Sequence, residues 1–212
     1  MLVDIDTWVL DLDNTLYPPA IGLADQMNVR IRAYLTKLFD ADEGETRRLQ
    51  AQLVAEHGTT LRGLMNNHGI DPHDYLAWEH TIDYSVLTPD PALTSALGGL
   101  PGVRYVYTNG SAYHAEQVLT RLGLTDHVDG VFDILAGELV PKPYAASLDA
   151  FLTRFGIDPE RAAMFDDLEV NLTLPHERGM TTVWVSGGTP YEQLADRRWR
   201  ASDLPEFLRA NV

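Results

Sequence analysis

The chain has 212 residues, 45% of them hydrophobic and 22% charged, which suits a packed core and excludes a disordered segment. Acids outnumber bases 31 to 16, for a formal charge of −15, and such a surface repels nucleic acid and anionic lipid, which are drawn by cationic side chains. Cysteine is absent, so disulfides, thiolate nucleophiles and cysteine-held zinc are excluded. The opening MLVDID carries acids where a secretory signal needs bases and a long apolar run. No apolar stretch approaches the ~20 residues of a membrane span. The expectation is a cytoplasmic protein with neither a membrane nor a nucleic-acid partner.

In chain order, TWVLDL (7–12) reads as a first buried strand. Residues 20–86 then show no strand pattern and read as helices over 21–39, 42–57, 59–68 and 72–84, with breaks at FDADEG, Gly58 and NNHGIDPHD. LTPDPAL reads as a return linker. VRYVYT (103–108) is a second strand, and SAYHAEQVLTRL (111–122) a helix with Ala115, Val118, Leu119 and Leu122 on one face. GVFDIL (130–135), AAMFDD (162–167) and TTVWVS (181–186) complete five strands, with a helix over 144–155. The tail 194–207 reads as helix and loop packed on the core, with a local basic cluster at Arg197, Arg198 and Arg200. Alternation of strand and helix predicts an α/β fold: a doubly wound, Rossmann-like parallel sheet. The expected division is a core of residues 1–17 and 88–212 and an all-helical cap, 18–87, inserted after the first strand.

Open parallel sheets bind ligands beyond the carboxyl ends of their strands. Those ends carry Asp11 and Asp13, then Thr108, Asn109 and Gly110, then Lys142 within PKP, then Asp166, Asp167 and Asn171. Lys142 is one of two lysines in the chain, the other being Lys37. Four carboxylates gathered at one edge repel one another unless protonated or joined by a cation, and a hard, oxygen-liking ion, Mg²⁺, answers that need. TNGSAYH offers a hydroxyl and the free N–H groups of a starting helix, and Lys142 a point charge, both suited to a phosphate. Each piece alone has a plainer reading: DLDNT as turn chemistry, TNGS as a helix cap, PKP as a surface loop. Their coincidence at four strand ends points to phosphoryl transfer.

These motifs resemble the haloacid dehalogenase superfamily of aspartate-nucleophile phosphohydrolases. VLDLDNTLY matches its first motif, Thr108 its second, Lys142 its third and FDDLEVN its fourth. HGTTLRGLM, TIDYSVLTPDP, YTNGSAYHAEQVLTRLGL and MFDDLEVNL look like the pyrimidine 5′-nucleotidase branch. The resemblance implies Asp11 as nucleophile and Asp13 as general acid, then base, with a raised pKa. It implies Mg²⁺ on the Asp11 carboxylate, the Asp13 carbonyl and Asp167, with Asp166 acting through a metal-bound water. Thr108, Asn109 and Lys142 would hold the phosphoryl oxygens, and Asn171 would orient the carboxylates or Lys142. Asn171 and Leu168 depart from the acid and serine that many relatives carry there.

The implied substrate is a small phosphorylated metabolite, a pyrimidine nucleoside 5′-monophosphate first and a sugar phosphate second. Dehalogenases of the superfamily lack the second aspartate, so Asp13 argues for phosphate esters. Phosphonate hydrolysis needs a cap lysine, for which Lys37 is the sole candidate. A phospho-receiver domain shares the sheet and acids but carries no helical insertion. Within the cap, Thr60 and Arg62 are the expected substrate contacts, and Tyr17 and Tyr84 could stack on a base. The seven histidines show no ligand spacing and read as surface or core residues.

Overall fold

The structure is a computed structural model that describes residues 2, 4–186 and 191–212. Strand β1 (Thr7–Leu10) is buried along its whole length, as a central strand covered on both faces must be. It is followed by four helices, α1 (Leu23–Phe39), α2 (Glu43–His57), α3 (Thr60–His68) and α4 (Pro72–Glu79). The chain then alternates: α5 (Pro91–Gly98), β2 (Val103–Tyr107), α6 (Ala112–Leu122), β3 (Gly130–Phe132), α7 (Ala145–Phe155), β4 (Ala162–Asp166), α8 (Glu169–Glu177) and β5 (Thr181–Val185). Strands β6 (Tyr191–Ala195) and β7 (Arg198–Ala201) and helix α9 (Leu204–Asn211) close it. Among the described residues no helix is long and apolar enough to cross a membrane.

The sheet has seven strands in the order β3-β2-β1-β4-β5-β7-β6, all parallel except β6. Successive strands are added first to one side of β1 and then to the other, so the crevice where winding reverses lies at the end of β1. Leu10 is in register with Val106 of β2 and with Phe165 of β4. The next residue on each strand, Asp11, Tyr107 and Asp166, therefore reaches the same edge together.

Side chains alternate across β1 and feed two cores. Trp8 and Leu10 join Leu97, Val118, Phe165 and Phe207 on one face, while Val9 joins Tyr107, Phe132, Phe151 and Met164 on the other. The four inserted helices gather a core of their own from Ile31, Leu35, Leu53, Leu64 and Tyr75, which Ile134 from the sheet side caps. Their boundaries follow local chemistry. Asp42 and Glu45 form a reciprocal capping box at the start of α2, and the Thr59 hydroxyl accepts the Arg62 N–H to start α3.

Three elements differ from the sequence expectation. Helix α4 ends at Glu79 instead of 84, since Thr81 and Ile82 are poor continuers and Asp83 caps a separate 3-10 turn, Tyr84–Val86. The expected linker contains α5, with Asp90 as its N-cap and Pro91 in its first turn. The tail holds the β6–β7 hairpin, whose turn uses Arg197 at φ +54°, and two residues of its basic cluster pair with acids, Arg200 with Glu192 across the strands and Arg198 with Glu169 at the start of α8. The strands are only five and four residues long, and YEQLA does not alternate, so the period-2 signal is too short to announce them.

Candidate active site

Asp11 follows β1 and Asp166 ends β4. Lys142 arrives on the loop after β3 and places its Nζ 2.6 Å from Asp11 Oδ1 and 2.7 Å from Asp166 Oδ2. All three are buried, with Lys142 3% exposed and Asp166 fully enclosed. Two of the ammonium's three protons are thereby assigned, and the third remains for an incoming anion. Burial alone would lower Lys142, but the Asp11 and Asp166 carboxylates raise it above the usual lysine value, so it stays charged.

The supports are explicit. Asp11 Oδ2 accepts the Thr15 hydroxyl at 3.0 Å, and Asp166 Oδ1 accepts both the Asn171 amide and the Leu168 N–H at 2.9 Å. Asn171 thus orients Asp166, and Asp166 touches Lys142 directly, where a role through a metal-bound water had been expected. The Asn109 side chain clasps the Lys142 main chain, accepting its N–H at 2.7 Å and donating to its carbonyl at 3.3 Å. That leaves the Asn109 main-chain N–H, not the side chain, for a ligand. Thr108 is buried and its hydroxyl accepts the Gly110 N–H at 2.9 Å.

Asp167 lies beside this group, half-buried, with Oδ2 accepting from Asn14 at 3.3 Å. Asn14 takes a left-handed turn, φ +61°, which the asparagine side chain tolerates. Asp11, Asp166 and Asp167 each bring one carboxylate oxygen within 4.8 Å of the others. Burial pushes Asp11 up to about 8, more than Lys142 pulls it back, and burial with Asp166 raises Asp167 as well. One ammonium does not balance three carboxylates, and the all-oxygen set fits a hard divalent cation. That is the fit expected of Mg²⁺.

Asp13 departs from the expected crowd of four. Its carboxylate turns to the other side of the loop, where Oδ1 meets His114 Nε2 at 2.8 Å and accepts the Tyr17 hydroxyl. Burial pushes Asp13 up, but His114 and Tyr17 together hold it below the usual carboxylate value. The raised pKa expected at Asp13 belongs to Asp11 instead: burial raises both, and at Asp13 the His114 and Tyr17 contacts more than offset it.

His114 is the residue that the sequence reading passed over. It lies in the first turn of α6, fully buried, stacked on His80 at 4.5 Å and 15°. His80 bonds Ser111 at 2.9 Å, and burial against His114 lowers its pKa to about 3. A signal existed: His114 is the third residue of the helix that follows the second strand end, in the turn nearest the site.

A cavity of about 270 Å³ opens from Asp13 between the sheet edge and the inserted helices. Its polar lining includes Asn28, Gln50, Thr60, Tyr75 and Glu79, and among the described residues no lysine or arginine lines it. Thr60, expected to contact substrate, lines this wall. Arg62 is not in it; its guanidinium stacks over the Tyr144 ring at 4.3 Å. Tyr17 and Tyr84 are buried with their hydroxyls engaged at Asp13 and His114, so neither offers a free face to a base. Lys37 is exposed and lies over Trp78 at 5.4 Å, outside the cavity wall.

An open α/β sheet with acids and a lysine at its switch point defines a class of enzyme that works at strand ends. The family model of the haloacid dehalogenase-like hydrolases matches residues 5–173, and the chain belongs to that family. Phosphate metabolism protein 8 of Saccharomyces cerevisiae is 27% identical over 188 residues, covering 80% of this chain; the match spans 58% of that protein's length. The 2-haloacid dehalogenase of Pseudomonas syringae pv. Tomato DC3000 superposes with TM-score 0.58 at 21% identity, covering 97% of this chain and 98% of its own. The magnesium-bound HAD-hydrolase YfnB of Bacillus subtilis gives 0.57 at 18% identity, over 98% and 99%. These two likenesses speak for the fold.

Proposed function

We propose that the protein is a Mg²⁺-dependent phosphomonoesterase acting through an aspartyl-phosphate on Asp11. The observation that supports this most is the division of the acids. Asp11 shares Lys142 with Asp166 at the sheet edge, while Asp13 stands apart, facing the cavity where a leaving group would sit. A dehalogenase has no use for that second acid, because halide departs without a proton.

In the first step an Asp11 oxygen attacks phosphorus, the bond to the leaving oxygen breaks, and Asp13 gives that oxygen a proton. A phosphate monoester bound as its monoanion brings that proton to Asp13. Water then attacks the aspartyl-phosphate, Asp13 takes its proton, and inorganic phosphate leaves with the Asp11 carboxylate restored. Lys142, the Thr108 hydroxyl and the Asn109 main-chain N–H receive the equatorial oxygens. The cation would be held by Asp11, the Asp13 carbonyl and Asp167, and when bound it supplies charge neutralisation at the phosphoryl group.

Residues 18–87 act in this reading as a cap over the site, joined to the core of residues 1–17 and 88–212, and they supply most of the cavity wall. A wall with amides, hydroxyls and Glu79 but no cation favours an uncharged, hydrogen-bonding leaving group of nucleoside or hexose size over a second anion. The pyrimidine nucleoside monophosphates come first, supported by the motif pattern that runs through the chain and by an amide pair, Gln50 bonded to Asn28 at 2.7 Å, that can present to a base edge. Sugar phosphates are the second reading, on the same cavity.

The test is phosphate release from UMP, CMP, purine monophosphates, hexose phosphates and bisphosphates. UMP and CMP should exceed the rest by about 10-fold or more in kcat/KM. Chelation should abolish release and Mg²⁺ restore it. Chloride release from 2-chloropropionate with no phosphate release would overturn the reading.

A further inference from the structure

We infer that Tyr17, His114 and Tyr84 form a buried positioning chain that aims Asp13, holding one carboxyl oxygen so that the proton it delivers sits on the other. The inference rests on the proposed role of Asp13 as general acid and goes beyond it by assigning residues that the motif pattern does not include.

Both donors converge on one atom. The Tyr17 hydroxyl and His114 Nε2 each meet Asp13 Oδ1, the latter at 2.8 Å. Oδ2 has no side-chain partner among the described residues, and Asp13 lines the leaving-group cavity. An oxygen that already accepts two hydrogen bonds is a poor seat for a further proton, so a protonated Asp13 carries it on Oδ2. A carboxyl with two equivalent free oxygens would spend part of its time with the proton turned from the leaving group; this one is held in a single orientation.

The histidine is itself oriented from behind. Its Nδ1 lies 2.9 Å from the Tyr84 hydroxyl, and that hydroxyl faces the His80 carbonyl at 3.2 Å. His80 stacks flat on the His114 ring and is fixed through Ser111, which also caps the helix bearing His114. Burial alone asks for a partner at each ring nitrogen; this arrangement also fixes the ring plane by stacking, and it ends on Asp13, the strand-end carboxylate that stands apart from Asp11, Asp166 and Asp167. The tyrosines come from the two connections between the sheet and the inserted helices, at 17 and 84, so the wiring spans both.

The experiment compares kcat/KM for an alkyl phosphate, whose leaving oxygen needs a proton, with p-nitrophenyl phosphate, whose leaving group does not. This parameter reports only steps through departure of the leaving group, and so isolates the acid role. His114→Leu should lower the alkyl value by roughly 10- to 100-fold and by at least about 10-fold more than the aryl value. His114→Gln, which returns an N–H near the Nε2 position, should recover most of the difference. Tyr84→Phe, which removes a single hydroxyl and serves if the histidine variants fail to fold, should show the same bias at a few-fold.

Asp13→Asn is run beside them. If it shows the leaving-group bias and the His114 and Tyr84 variants do not, the positioning chain is wrong and the acid assignment stands. If Asp13→Asn itself lacks the bias, both fall. An equal loss on the two substrates for His114→Leu, without rescue by Gln, would reduce His114 to a packing residue and overturn the inference.

Discussion

Asp11→Asn is expected to fold and to lose at least about 10⁴-fold in phosphate release. Asparagine keeps the shape, and with it the contacts to Lys142 and Thr15, but offers no anionic oxygen to phosphorus. Burial already disfavours the Asp11 charge, so the neutral isostere should keep Tm at or above the parent value. Retained turnover in a folded, Asn-bearing protein would mean that the nucleophile lies elsewhere. Loss of the fold is not expected, because Lys142 keeps Asp166 as a partner.

Lys142→Met should act in the opposite way on stability. It strips the only ammonium from between Asp11 and Asp166, leaving two enclosed carboxylates face to face. Removing one partner from a buried charge cluster costs about 3–5 kcal/mol, and for a chain of this size that lowers Tm by roughly 10 °C. Thermal unfolding of the variant against Lys37→Met gives the contrast, since Lys37 is exposed and should shift stability by less than about 0.5 kcal/mol. Mg²⁺ should return part of the loss in Lys142→Met, by supplying the missing positive charge to the native state alone. A variant as stable as the parent without metal would deny that the lysine neutralises the pair. Phosphate release should fall with the same substitution, since the ammonium's third proton is the one left for the substrate.

Much of this site was legible before any coordinates, for a geometric reason. In a parallel sheet every strand delivers its last residue to the same edge, so reading the strand ends and the loops that follow them collects Asp11, Lys142 and Asp166 without knowledge of the pairing. Register then does the rest: Leu10 opposite Val106 and Phe165 makes the following residues neighbours. The family pattern added roles, and the family itself is shown by the match over residues 5–173.

What stayed hidden was the direction of side chains. Asp13 is two residues from Asp11 and looks like its twin, yet Leu12 buries between them and the turn at Asn14 sends the second carboxylate to His114, 101 positions away. No spacing rule announces such a partner. The same holds for Arg62, whose place at a helix start suggested a ligand and whose guanidinium found the Tyr144 ring. The β6–β7 hairpin is short and does not alternate along β6, and its charges pair across strands and to α8, so the local pattern does not announce it. In each case a tertiary partner decided what local pattern left open.

The most direct measurement traps the intermediate. Enzyme quenched during turnover and reduced with borohydride converts an aspartyl-phosphate to homoserine, which peptide mass spectrometry locates. The account predicts that conversion at position 11, dependent on substrate and absent in Asp11→Asn. Conversion at 13, 166 or 167, or turnover with no reducible residue at all, would contradict it.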